Sequence, residues 1–372
     1  MVGLDRVFRG WWLVVGLVVA GCMPSPMTPV VYLLDTPTVV ASAPPVMAEV
    51  EAVRATAVTT ETPMPTATAT ITPSPTAIPS VRLMAVGDVM LDRSIAWHVS
   101  RDGPGVVFGG VQDVIAQADV FVVNLECAIG DVGEPQPKAY TFRAPPNTVE
   151  ALVVAGVDVV SLANNHALDY GPLALAQTRL LLADQNIAAV GAGANAAEAR
   201  APVIVERNGL RIAFVAYVDV PVEVGGFNTR VWTAGENSPG VAWLVIDEMV
   251  ADIAAARRQA DVVVALLHFG LEGRDQPWER QIVAARAAID AGVSLVVGAH
   301  PHVLQPIEEY NGGLIVYSLG NFVFDGFTGA ANESAILDVT LTPAGVVGYN
   351  LLRVDVVTGL PQLAEDWTDG DE

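Results

Sequence analysis

The sequence predicts an α/β fold from Val81 onward, and three observations carry that prediction. Short runs rich in Val, Ile, Leu and Ala alternate with longer stretches in which Ala, Leu, Glu, Arg and Gln carry apolar stripes. The short runs are apolar almost throughout, as strands buried on both faces must be. Five of them end on residues that ligate metals or move protons, and open α/β sheets bind their ligands at the carboxyl ends of strands.

In chain order, residues 81–86 read as the first strand, ending at Gly87-Asp88. Residues 120–123 end at Asn124-Leu-Glu126, and residues 157–162 at Asn164-Asn165-His166. Residues 262–267 end at His268, and residues 294–297 at Gly298-Ala-His300-Pro-His302. Helices are expected over residues 148–155, 172–185, 246–259 and 278–291, with Pro172 in a first helical turn behind Gly171. Residues 203–215 read as a hairpin around Asn208-Gly209. Residues 314–318, 335–341 and 346–356 read as further strands, the last two joined by a turn at Pro343-Ala-Gly345, so the C-terminal half adds antiparallel pairing. No internal repeat is visible.

The first 80 residues are of another kind. Arg6 and Arg9 precede an apolar run over residues 11–20, followed by Val19-Ala20-Gly21-Cys22. A basic start, a short apolar stretch and small residues before a cut site describe a signal peptide. The run is about half of the ~20 residues that span a bilayer. Val-Ala-Gly-Cys resembles the bacterial lipobox, which implies a lipid on Cys22 and a protein held outside the cytoplasm, anchored to the membrane rather than spanning it. An ordinary signal peptide with a chance cysteine is the other reading. Residues 23–80 are rich in Pro, Thr, Ala and Ser and contain no Gly, the composition of an extended, disordered tether. The expected organisation is a signal peptide over 1–22, a tether over 23–80, one folded domain over 81–358 and an acidic tail over 359–372.

Composition excludes several functions. Of 372 residues, 52% are hydrophobic and the formal net charge is -22, against a general nucleic-acid binder and against attraction to anionic lipid heads. Two cysteines make neither a disulfide scaffold nor a cysteine-rich zinc module. With Cys22 lipidated, Cys127 has no partner for an intrachain disulfide.

Four of the five histidines fall at strand ends, and only His98 lies elsewhere, on an expected surface helix. Each candidate has an ordinary reading by itself. Asp88 could cap a helix, Glu126 could be a solvated acid, Asn165 could hold a left-handed turn, and a lone His is often simply packed. Their shared topological position argues for one site. His300-Pro-His302 is the most specific piece: on an extended segment two imidazoles two residues apart point the same way.

Taken together, Gly87-Asp88-Val-Met90-Leu91, Asn124-Leu-Glu126, Ser161-Leu-Ala-Asn164-Asn165-His166, His268-Phe-Gly270-Leu-Glu272, Gly298-Ala-His300-Pro-His302 and Ser318-Leu-Gly320-Asn321-Phe322 resemble the bacterial capsule-synthesis CapA family. That family is associated with poly-γ-glutamate production and related to the calcineurin-like metallophosphoesterases. Phe142-Arg143-Ala-Pro145 also looks like a family segment. The resemblance implies a metallophosphoesterase-like four-layer α/β/β/α sandwich with one or two divalent metals. Asp88 and His302 would hold the first metal, Asn165, His268 and His300 the second, and Glu126 would stand at the bridging position usually taken by Asp. His166 would meet the leaving oxygen of the substrate. Met90 departs from the superfamily, which often has His two residues after the first Asp. The ligand types suit Mn, Fe or Zn, and two such ions would serve an in-line displacement.

Asp169, three residues after His166, would either orient that imidazole or cap the next helix. Arg93 and Arg143 are candidate anion binders or surface ion-pair members. Glu272, Asn321 and Asp325 lie in family-like segments without an assignable role. The expected function is a lipid-anchored protein acting on an anionic cell-surface polymer such as poly-γ-glutamate, through a metal-dependent hydrolase or transferase centre. A phosphoesterase acting on small esters and a non-catalytic scaffold for membrane-bound synthase subunits are the alternatives.

Overall fold

A computed structural model describes residues 78–364. The signal peptide, Cys22, almost all of the tether and residues 365–372 of the acidic tail lie outside the described residues.

Two sheets form the frame. The first runs in the order Leu360–Leu363, Gly345–Val357, Glu333–Thr342, Val81–Val89, Val120–Leu125, Val159–Ser161, Ala188–Val190, with Asn321–Val323 paired to the end of Val81–Val89. The second runs Ile307–Tyr310, Gly313–Val316, Leu295–Ala299, Val262–Phe269, Leu210–Asp219, Val203–Arg207. The strands that lead to the candidate site are parallel: Val81–Val89 with Val120–Leu125, that with Val159–Ser161, and Val262–Phe269 with Leu295–Ala299. Their carboxyl ends therefore open on the same edge of each sheet.

Side-chain alternation explains the layering. On the second sheet, Val262, Val264 and Leu266 join Ile212, Phe214, Leu295 and Val297 in one core shared with the first sheet. Val263, Ala265, Leu267 and Phe269 point the other way, with Ala213, Val215 and Ile315, into a second core under the helices Ile246–Ala256 and Glu279–Asp290. The first sheet packs its remaining surface with Ile95 and Val99, Leu152 and Ala155, and Leu175 and Leu182 of three further helices. The result is the α/β/β/α sandwich, and the apolar strands are apolar throughout because both faces are covered.

The expected hairpin closes at Asn208 (φ 50°) and Gly209 (φ 79°), the left-handed pair that a two-residue turn between twisted strands requires. Several short strands of the described residues went unread in the sequence, among them Ala188–Val190, Ile307–Tyr310, Asn321–Val323 and Leu360–Leu363. Each has at most four residues, too few for a period. The last lies within residues 359–372 and carries Pro361, which a sheet edge tolerates because no partner needs its missing N–H.

Candidate metal centre

Strand register assembles the site. Asp88 stands opposite Asn124 on one neighbouring strand and opposite Asn321 on the other. This three-strand contact explains Gly87: a β-carbon there would lie 1.9 Å from the Gly320 carbonyl oxygen, while the Asp88 N–H donates to that oxygen at 3.0 Å. Glu126 follows Asn124 past the strand end. His268 shares the parity of Val262, Val264 and Leu266, so its imidazole enters the space between the sheets. Gly298 is required in the same way as Gly87, since a β-carbon there would meet the Tyr317 carbonyl oxygen at 2.0 Å.

The His300–His302 segment is not extended, which corrects the sequence expectation. It bends just after Leu295–Ala299, with His300 at φ 95° and His302 at φ 58°. Positive φ at a non-glycine residue costs about 1–3 kcal/mol and persists only where the surroundings enforce it. Here the His300 N–H donates to Asp88 Oδ2 at 3.3 Å, and the imidazole of His302 lies with Nδ1 3.1 Å from Asp88 Oδ2 and 2.9 Å from Asn321 Oδ1. A strained turn, rather than a pleat, brings both rings into one cluster, with centroids 5.8 Å apart.

Asn124 and Asn165 orient the rest. The Asn124 amide donates to Asp88 Oδ1 at 2.8 Å and to Glu126 Oε2 at 3.3 Å, and lies 3.2 Å from His268 Nδ1. His268 Nε2 faces Asn165 Oδ1 at 2.7 Å. Glu126 Oε1 has no hydrogen-bond partner although it is fully buried. It sits 3.9 Å from His166 Nε2, 3.9 Å from His268 Nε2 and 3.8 Å from His302 Nε2, too far for hydrogen bonds and surrounded by imidazole nitrogens. His300 Nδ1 is likewise buried without a partner.

The electrostatics of the cluster follow from burial and proximity. Burial and the charge of Asp88 push the Glu126 carboxyl well above the ordinary carboxylate range. Burial acts on Asp88 in the same direction but is outweighed by the hydrogen bond to His302 and the charges of His302 and His268, which hold it low. Burial lowers His268 to about 3 and drives His300 well below its ordinary value, so both are neutral, the form that ligates metals. Burial pulls on His302 too, but the hydrogen bond and charge of Asp88, with the charge of Glu272, leave it raised.

Among the described residues, two buried sets could hold a metal ion: Glu126 with His300 and His302, and Asp88 with Glu126 and His268, each with its donor atoms within 4.8 Å of one another. Glu126 belongs to both sets. Two adjacent buried carboxyls, the neutral imidazoles of His268 and His300, and the unpartnered Glu126 Oε1 and His300 Nδ1 fit a divalent cation. Met90 contributes nothing to it: its sulfur accepts the Asp92 N–H at 3.1 Å.

His166 stands at the side of the cluster. Its Nδ1 bonds Asp169 Oδ2 at 2.7 Å and its ring stacks on Phe142 at 4.4 Å, leaving Nε2 turned toward Glu126. Asp169 orients the imidazole and does not cap the helix Gly171–Asp184, whose N-cap position is Tyr170. Arg93 is tied to Asp325 through the backbone carbonyl at 2.7 Å and the carboxylate, and its guanidinium lies 4.9 Å over the Phe142 ring, one ring removed from His166. Arg143 turns away, bonding the carbonyls of Val132 and Gly133 at 3.0 Å each and covering the Tyr170 ring. His98 pairs with Asp102 on its own helix, outside the cluster. Asn321 and Asp325, which had no role in the sequence, hold His302 and Arg93. Sequence reasoning missed Asn124 as a hub and missed Lys138 and Glu223 entirely. Lys138 Nζ bonds Asp169 Oδ1 and Glu223 Oε1 at 2.7 Å each, and Glu223 accepts from the Asn165 amide at 2.6 Å.

A family model described as bacterial capsule synthesis protein PGA_cap matches residues 82–326, more than half of the chain and all of the cluster. The chain belongs to this family. Among its PGA_cap relatives, the PGA biosynthesis protein CapA of Bacillus subtilis is 32% identical over 279 residues, covering 74% of this chain and 72% of the relative. The capsule biosynthesis protein CapA of Bacillus anthracis is 33% identical over 285 residues, covering 74% and 68%. A solved structure described as a novel phosphatase from Mycoplasma pneumoniae superposes with a TM-score of 0.50 at 13% identity, covering 75% of this chain and 95% of that one. At that identity the likeness concerns the fold alone, and it agrees with the metallophosphoesterase-like sandwich that the PGA_cap motifs implied.

Proposed function

We propose that this chain is a lipid-anchored, extracytoplasmic member of the PGA_cap family that acts on an anionic capsule polymer of the poly-γ-glutamate kind through a metal-dependent hydrolase or transferase centre. The observation that carries the reading is Glu126 Oε1, buried and unpartnered among three imidazole nitrogens at 3.8–3.9 Å. Asp88, Glu126, Asn165, His268, His300 and His302 would hold one or two divalent ions, and their nitrogen and oxygen donors suit Mn, Fe or Zn. Bound there, such an ion supplies Lewis-acid chemistry, polarising a phosphoryl or acyl oxygen and acidifying water.

The chain's own residues do the rest. Asp169 fixes the proton of His166 on Nδ1, so Nε2 is free to exchange a proton with an oxygen that enters or leaves beside the cluster. Each of the six candidate ligand side chains belongs to a residue at most 5% exposed, and their removal from bulk water strengthens every charge interaction there. The lipobox-like Val19-Ala20-Gly21-Cys22 and the prolyl segment behind it support display outside the membrane, near polymer and membrane-bound synthase subunits. The test is polymer yield in cells whose own copy is replaced by wild type, His166→Ala or the double variant His300→Ala/His302→Ala. Loss of polymer in both variants, at wild-type protein levels, is expected. Undiminished polymer in both would reduce the chain to a scaffold.

A further inference from the structure

Lys plus Arg number 19 in this chain, and Lys138 is the only lysine among them. It is also among the most enclosed cations, with its side chain 1% exposed beneath the Trp232 ring, whose centroid is 5.0 Å from Nζ. Three oxygens surround the ammonium at 2.7 Å each: the Asn165 carbonyl, Asp169 Oδ1 and Glu223 Oε1. A compact ammonium with three rotatable donors meets three converging acceptors, and a planar guanidinium with its donors fixed in a fork does not.

From Nζ, which also lies 3.5 Å from His166 Nδ1, two hydrogen-bonded arms reach the metal cluster. One passes through Asp169 to His166 Nδ1. The other passes through Glu223 to the Asn165 amide, which turns Asn165 Oδ1 toward His268 Nε2. Lys138 lies in the irregular segment behind Ala128–Ile129, which follows a strand of the first sheet, and Glu223 lies behind Leu210–Asp219 of the second. The pair thus bridges loops from both sheets, 85 residues apart in sequence.

We propose that Lys138 is a positioning residue, which sets the orientation of His166 through Asp169 and that of Asn165 through Glu223, and so clasps the two halves of the sandwich at the site. For the Asn165 arm this rests on the metal-centre reading; for the His166 arm it does not.

The test uses the full-length chain labelled with ¹⁵N-lysine and ¹⁵N-histidine. The sole lysine makes the ammonium signal unambiguous. Wild type should give one slowly exchanging lysine ammonium resonance and a His166 with Nδ1 protonated and Nε2 bare. In Lys138→Met and Lys138→Arg, His166 should shift to a mixture of tautomers, and Mn affinity should fall about 10–100-fold, as for the loss of other residues that orient ligands. An ammonium in fast exchange in wild type would overturn the proposal even if neither variant folds. So would folded variants whose His166 signals match wild type. Wild type that binds no Mn while the His166 signals change in the variants would instead sink the metal-centre reading and leave the clasp standing.

Discussion

Glu126→Gln changes the charge of one carboxyl and almost nothing of its shape. In the metal-free protein Glu126 Oε1 is buried without a partner, and Asp88 lies close enough to push its carboxyl upward. A buried polar group left unpaired costs about 1–3 kcal/mol. An amide removes the repulsion and places a donor 3.9 Å from His166 Nε2, a gap that a small side-chain shift closes to a hydrogen bond with the lone pair there, since Nδ1 of that ring is bonded to Asp169. The Glu126→Gln chain in chelator should therefore melt higher than wild type, by about 2–6 °C at roughly 2 °C per kcal/mol for a domain of this size. Added metal should reverse the order. At about 100 times its Kd a ligand stabilises by about 2.7 kcal/mol, and wild type should gain this while the variant gains little. Thermal unfolding of both chains, in chelator and in Mn, reads all four values. A variant that melts lower in chelator, or that keeps the full Mn shift, would refute the assignment of Glu126 as the shared ligand.

Other consequences are independent of metal. Gly87→Ala forces a β-carbon to 1.9 Å from the Gly320 backbone, so it should cost at least about 3 kcal/mol or yield insoluble protein. Gly348→Ala, on Gly345–Val357 with nothing within 4 Å of the added carbon, should stay within about 0.5 kcal/mol of wild type by denaturant melts. Cys127 is fully buried, receives the Leu91 N–H at 3.4 Å, and has its thiol pushed far up by burial. Its alkylation, followed by peptide mass analysis, should occur only on unfolding; rapid labelling at neutral pH in native buffer would contradict that packing.

The part of the site legible in the sequence was the part written at strand ends. Asp88, Glu126, Asn165, His166, His268, His300 and His302 each follow an apolar run, and parallel strands bring such ends to one edge. The Asp169–His166 bond was legible because three residues separate the pair. The turn at His300 and His302 was not, because contacts with Asp88 and Asn321 on other strands impose its positive φ. Lys138 and Glu223 lie in irregular loops, and only folding makes them neighbours. Arg143 carried the residue type of an anion binder, but two nearby carbonyls and the Tyr170 ring claim its guanidinium. Short strands such as Ala188–Val190 owe their existence to the neighbour they pair with rather than to local pattern.

The central claim is that the buried cluster is a metal centre, and the most direct measurement is elemental analysis of the purified chain beside His300→Ala/His302→Ala, each after exposure to Mn, Fe and Zn. About one or two transition-metal ions per wild-type chain are expected, the two-metal arrangement being the upper limit, and their loss from a variant that still folds. Wild type that holds no metal after loading, or a folded variant that holds as much as wild type, would contradict it.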